Sequence, residues 1–243
     1  MEAIEVSGLT KTYDGRNVVS GLTLTVHEGE LFALLGVNGA GKTTTIRMLT
    51  GLTAPDGGDV RICGHSIRTQ LPPVKRAVGI CPQETAVAKK LTVRENVTLM
   101  ARLYGQGKDE AARSADALIG EFGLSEVAEK RAGKLSGGWQ RRLSIAMAMA
   151  GRPKVLFLDE PTVGLDVLAR RALWELIRGA LSHMTIVLTT HSMEEAEALS
   201  DRIGVMAAGR LRACGAAAEL MEQTGTATRE DAFVALAQEG GAA

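Results

Sequence analysis

Leu31-Phe32-Ala33-Leu34-Leu35-Gly36-Val37-Asn38-Gly39-Ala40-Gly41-Lys42-Thr43-Thr44 is the stretch whose reading decides the fold. Five apolar residues run into a glycine-rich octet of the form GxxxxGK[ST], and Thr44–Leu49 beyond it has helical spacing. A strand, a loop of glycines and a helix, in that order, make a cradle for phosphate. The glycines let successive N–H groups turn inward, and the helix N-terminus adds its partial positive charge. Lys42 is placed to bridge terminal phosphates, and the Thr43 hydroxyl to bind Mg²⁺.

Working outward, short strand-like runs recur at Ile4–Val6, Leu22–Val26, Val78–Ile80, Val155–Leu158, Ile186–Leu188 and Ile203–Met206. Helical spacing lies between them, as where Leu173, Leu176, Ile177, Ala180 and Leu181 form one apolar stripe. Strands alternating with helices predict an α/β protein with a mostly parallel sheet. The stretch 83–150 differs. Its patterns at Thr92–Leu103, Asp109–Phe122 and Gly137–Ala150 are helical with no convincing strand between them. It reads as a helical subdomain inserted into a core formed by about 1–82 and 151–215, within a single domain of 243 residues. The tail, about 216–243, holds Glu219, Glu222, Glu230, Asp231 and Glu239 against Arg229, and reads as a terminal helix covering the core edge.

Composition narrows the function classes. Apolar residues are 45% and charged residues 23%, which excludes disorder as the main state. Lys plus Arg equals Asp plus Glu at 28 each, which argues against nucleic acid as the main partner. Aromatic residues are 3%, too few for a base-stacking platform along a single strand. Cys63, Cys81 and Cys214 are far apart without a CxxC pair, which fits a reducing compartment and argues against a zinc site. The start, Met1 to Gly15, lacks the basic and apolar regions of a signal peptide, and no apolar run approaches a membrane span.

A second chemical signal is Val155-Leu156-Phe157-Leu158-Asp159-Glu160, an apolar strand ending in two carboxylates. Ligands of parallel sheets gather beyond the carboxyl ends of strands. There Asp159 is a candidate for holding Mg²⁺ through water, and Glu160 for polarising an attacking water. Leu135-Ser136-Gly137-Gly138, followed by Trp139-Gln140-Arg141-Arg142, then resembles the signature of ATP-binding cassette (ABC) proteins. Gln83 resembles that family's Q-loop, Gly164-Leu165-Asp166 its D-loop, His191 its switch histidine and Tyr13 its adenine-stacking aromatic. These elements, with the glycine loop and the acidic strand end, occur in the family's order from Tyr13 to His191.

The resemblance implies a P-loop NTPase core with antiparallel N-terminal strands, and ATP with Mg²⁺ as the substrate. It makes Gly36, Val37, Asn38, Gly39, Ala40, Gly41, Lys42, Thr43 and Thr44, with Tyr13, the ATP-binding set. It implies catalytic roles for Glu160, His191 and Gln83, and assigns the metal to Thr43, Gln83 and, through water, Asp159. Ser136, Gly137, Gly138, Trp139 and Gln140 would complete the ATP site of a second copy, so that ATP joins two chains head to tail; Asp166 is the D-loop residue. Trp139 departs from the family's commonest signature, which has Gln there. His27, His65 and His183 carry no such motif and read as structural.

Several phrases resemble the ATPase subunits of ABC-2-type exporters, among them Leu91-Thr92-Val93-Arg94-Glu95-Asn96 and Thr189-Thr190-His191-Ser192-Met193-Glu194-Glu195-Ala196. That branch implies a separate membrane permease, which places the chain in the cytoplasm, peripheral on the cell membrane. Leu99, Leu103 and Tyr104 are candidates for its docking contacts, with core packing the plainer account of the leucines. An importer's ATPase, or a soluble ABC ATPase, is the alternative. The interval from Thr44 to Leu135 has no sustained heptads, against the coiled-coil types of DNA repair and chromosome structure.

Overall fold

The computed structural model describes residues 1–180 and 184–238; Leu181, His183 and Glu239 lie outside them. Near the N-terminus, β1 (Glu2–Tyr13) and β2 (Arg16–His27) pair antiparallel around Asp14-Gly15. Both turn residues have positive φ, 48° and 75°, the two-residue loop whose twist matches that of the strands it joins. With β4 (Gly57–Ile62) and β5 (His65–Ser66) these strands form an antiparallel sheet in the order β2-β1-β4-β5.

The larger sheet contains β3 (Leu31–Leu35), β6 (Val78–Cys81), β7 (Val155–Asp159), β8 (Thr185–Thr190), β9 (Arg202–Ala207) and β10 (Arg210–Gly215). Its order is β10-β9-β3-β8-β7-β6, parallel throughout except for β10. β7 and β8 are buried at every position, which is why their apolar stretches, Val155–Leu158 and Ile186–Leu188, run without alternation. Their side chains still alternate between two cores. Phe32, Leu34, Val155, Phe157 and Val187 pack with the antiparallel sheet and with α1 (Lys42–Leu49). Ala33, Leu35, Leu156, Leu158 and Leu188 pack on the opposite side with the helices. Truncating Phe157, which is fully buried, to Ala would cost about 3–5 kcal/mol.

The architecture is therefore α/β, a mostly parallel sheet with antiparallel N-terminal strands. After α2 (Leu71–Ala77) and β6, three helices intervene before β7: α3 (Val93–Leu103), α4 (Lys108–Glu121) and α5 (Gly137–Met149). The Leu91–Asn96 phrase has a physical reading here. Thr92 and Glu95 form a reciprocal capping box at the start of α3. Asn96, fully buried, accepts from the Ala88 amide at 2.8 Å and donates to the Thr92 carbonyl at 2.8 Å, tying the loop after Gln83 to the helix.

Beyond β7 come α6 (Val167–Ala180) and α7 (Met193–Leu199), then α8 (Ala217–Thr224) and α9 (Arg229–Gln238). Leu220, Ala232 and Leu236 are buried and Arg229 pairs with Glu197 of α7, so the tail covers the edge of the core. Three strands, β4, β5 and β10, are absent from the sequence reading, and β1 and β2 extend well past Ile4–Val6 and Leu22–Val26. The reason is shared. These strands have one buried and one wet face, so charged and small residues interrupt the apolar signal, as in Arg210-Leu211-Arg212-Ala213.

Candidate functional site

β3 is central in the parallel sheet, and the chain leaves its carboxyl end as the glycine-rich loop. Gly36 is held there by its N–H to the Thr190 carbonyl at 3.2 Å, and a Cβ on Gly36 would stand 2.4 Å from the Met206 carbonyl oxygen. Gly41 caps α1 at φ 102°, where a Cβ would lie 2.6 Å from the Val18 carbonyl oxygen. Neither position accepts a side chain. Ala40 is buried in the core, whereas Val37, Asn38 and Gly39 are exposed on the loop.

The loop borders a cavity of about 400 Å³. Asn38, Gly39, Gly41, Lys42, Thr43 and Thr44 form one wall; Gln83, Glu160 and His191 close in from β6, β7 and β8. Lys42 is 5% exposed, and its Nζ donates to the Gly36 and Val37 carbonyls at 2.7 and 3.2 Å while standing 3.3 Å from Glu160 Oε1. The other Glu160 oxygen is 3.1 Å from His191 Nδ1. Asp159, nearly buried, accepts from Thr43 Oγ1 at 3.3 Å. Residues from Asn38 to His191 thus converge on one polar pocket.

Tyr13 stands apart from that cavity. It sits at the β1–β2 turn, 42% exposed, with Lys11 Nζ 5.3 Å from its ring centroid. Val18 of the next strand and Val163 line the cavity instead, two residues that sequence reasoning missed. Pairing register is the signal that points to Val18: the turn at Asp14-Gly15 brings β2 back past the glycine loop.

The signature residues also lie outside the cavity, at the N-terminus of α5. Ser136 occupies the N-cap position, yet its hydroxyl makes no cap hydrogen bond. Ser136 and Gly137 are exposed, and Gly138 approaches α6 so closely that a Cβ would be 3.3 Å from Ala169 Cβ. Trp139 and Gln140 turn toward their own chain. The Trp139 ring packs on the helical core with the Arg142 guanidinium 5.2 Å above it. Gln140 Nε2 donates to the Ala132 and Leu135 carbonyls at 3.2 and 3.1 Å. Asp166 caps α6 by accepting the Ala169 N–H at 2.9 Å.

Arg141 is a further residue missed from sequence. It is 4% exposed and donates to four backbone carbonyls: Pro161 at 2.7 Å, Asp159 at 2.8 Å, Pro82 at 2.5 Å and Gln83 at 3.1 Å. One guanidinium thus links α5, the loop carrying Gln83 and the end of β7. The expected packing of Leu99 and Leu103 needs correction. The buried face of α3 is Val93, Asn96, Val97 and Ala101, leaving Leu99 43% and Leu103 71% exposed. Tyr104 is 42% exposed and lies against Gly151.

With this geometry in view, comparison with known proteins is decisive. The family model described as ABC transporter matches residues 19–163. The chain belongs to the ABC transporter family. It is 42% identical over 225 residues to the daunorubicin/doxorubicin resistance ATP-binding protein DrrA of Streptomyces peucetius, covering 92% of this chain and 68% of that one. It is 44% identical over 220 residues to Nod factor export ATP-binding protein I of Burkholderia thailandensis, covering 90% and 72%. ABC transporter A family member 9 of Arabidopsis thaliana is 42% identical over 240 residues, but the ABC chain here spans only 25% of its length. Among solved structures, an ATP-binding subunit of an ABC transporter superposes with TM-score 0.85 at 31% identity, covering 96% of this chain and 99% of that one. A dimeric ATP-binding cassette in a post-hydrolysis state with ADP and Pi gives 0.79 at 25% identity, covering 88% and 98%. Among the described residues of this ABC chain, no helix is long and apolar enough to cross a membrane.

Proposed function

We propose that the chain is the ATPase subunit of an exporter: it dimerises head to tail around two Mg·ATP and drives a separate membrane permease from the cytoplasmic face. The observation that carries this reading is the convergence of Lys42, Glu160 and His191 on the cavity beside the glycine loop. The relatives named for drug resistance and Nod factor export support export over import. The dimeric neighbour supports self-association.

The residues present fit Mg²⁺. Thr43 Oγ1, the Gln83 amide oxygen and the Asp159 carboxylate are hard oxygen donors beside a phosphate cradle, with Thr43 and Asp159 already 3.3 Å apart. Few protein ligands, with phosphate and water completing the shell, suit this ion. Thr43 and Gln83 would hold it directly and Asp159 through water; when bound, Mg²⁺ neutralises charge on the phosphate oxygens.

The chain's own groups do the rest. The loop N–H groups and Lys42 bind the β- and γ-phosphates, so Lys42 exchanges its contacts with Gly36, Val37 and Glu160 for phosphate. Glu160, freed from Lys42, orients the attacking water and accepts its proton. His191 holds Glu160 on one side and contacts the γ-phosphate on the other. Tyr13 stacks on adenine. Ser136, with the amides of Gly137 and Gly138, faces the partner's γ-phosphate, and the hydroxyl without a cap bond supports that assignment. Trp139 and Gln140 contribute by holding the signature turn in shape.

Leu99 and Leu103, exposed on α3, are the proposed permease contacts. The test is purification of the tagged chain from detergent-solubilised native membranes. Recovery of a multi-pass protein, lost in a Leu99→Asp/Leu103→Asp variant, supports the reading; recovery of soluble partners alone overturns the transport role.

A further inference from the structure

β7 and β8 run parallel with Asp159 directly opposite Thr189. Thr189 is fully buried, and its hydroxyl lies between the two acidic residues. Oγ1 donates to Asp159 Oδ1 at 2.5 Å and accepts the Glu160 N–H at 3.0 Å. The Thr43 hydroxyl reaches the same Asp159 oxygen at 3.3 Å. A threonine hydroxyl has one proton and two lone pairs. Here its proton fixes one carboxylate, and a lone pair fixes the amide that begins the next residue.

That next residue is bent. Glu160 has φ 45°, a left-handed conformation that L side chains seldom adopt and that neighbours must enforce. The bend carries the Glu160 carboxylate away from the strand direction to Lys42 and His191. Among the described residues, the other threonines of β8 bond to backbone groups: Thr185 accepts from the Gly29 N–H and Thr190 from the Ser192 N–H.

We propose that Thr189 is a positioning residue for hydrolysis. It fixes the rotamer of Asp159 through Oδ1, leaving Oδ2 for the cation's water, and it pins the amide of Glu160 in its left-handed turn. The inference rests on the reading above that Asp159 serves Mg²⁺ and Glu160 the attacking water.

Thr189→Val is the test, because it fills the same space without a hydroxyl. The Glu160 N–H keeps the carbonyl of residue 189, now at 3.1 Å, as an acceptor. Mn²⁺ serves as the metal probe, its binding followed by electron paramagnetic resonance with a non-hydrolysable ATP analogue present. Affinity for a fluorescent ATP analogue in EDTA is measured alongside. In Thr189→Val, Mn²⁺ affinity and kcat are each expected to fall about tenfold, with metal-free nucleotide affinity held within about twofold and Thr189→Ser restoring the losses. Metal affinity and kcat both unchanged overturn the inference. So does a metal-free affinity that falls in step with the metal affinity, or a serine that fails to rescue. If Thr189→Val does not fold, Thr189→Ala is measured against Thr189→Ser by the same criteria. A wild-type chain that binds no Mn²⁺ with nucleotide overturns the metal reading itself. Normal wild-type binding with an indifferent Thr189→Val removes only the role of Thr189.

Discussion

The glycine-loop cavity and the signature turn both consist of backbone N–H groups at a helix start with a hydroxyl close by, yet they are finished to different degrees. At the cavity every charged group has an internal partner: Lys42 meets two carbonyls and Glu160, and Glu160 meets His191. At the signature turn the Ser136 hydroxyl makes no cap bond, and Ser136 and Gly137 stand in solvent. A closed network of this kind can bind and position a ligand within one chain. A helix start left open on the surface needs something brought to it. In the proposed head-to-tail dimer, that contrast would be the physical content of a shared site, each chain supplying a finished half and an unfinished one.

Breaking the finished half should give the largest effects. Glu160→Gln is expected to lower kcat by about 10²–10³-fold while leaving ATP bound, since a general base alone contributes on that scale. Light scattering with ATP should then show a persistent dimer, and a monomer with normal turnover would remove Glu160 from catalysis. Lys42→Ala should weaken ATP binding by about 10- to 100-fold, the loss of charge-assisted hydrogen bonds to phosphate, measured by nucleotide titration. The unfinished half should respond differently. Ser136→Ala is expected to leave ATP binding by the isolated chain within about twofold but to cut ATP-dependent dimerisation and turnover about tenfold, one hydrogen bond to a charged group. If it weakens binding to the single chain equally, the two regions are not separate. Tyr13→Ala, outside both, should weaken ATP and GTP alike by about 1 kcal/mol in the same titration.

Much of this was legible because the informative segments are continuous. The Leu31–Thr44 strand, loop and helix, the apolar strand ending in Asp159-Glu160, and the three helices before it each carry their own period. What escaped depends on chain segments meeting in space. Val18 enters the cavity wall through a hairpin register, Thr189 acts across a parallel pair, and Arg141 reads in sequence as one of two adjacent arginines until α5 is packed. Leu99 and Leu103 escaped in the opposite sense: their helical spacing suggests a packed face, but the inward face of α3 is set by Asn96 and its bonds to the preceding loop. Trp139, placed by motif beside a partner's nucleotide, is held by Arg142 and the core of its own chain.

The guanidinium of Arg141 has one more consequence. Every acceptor it holds is a peptide carbonyl, a neutral group fixed in the main chain. Being buried, the junction is also poorly reached by dissolved ions. The mechanical link between the Gln83 loop, the strand end and α5 is therefore set to hold through swings in salt concentration, a condition that a fastening of exposed ion pairs would register.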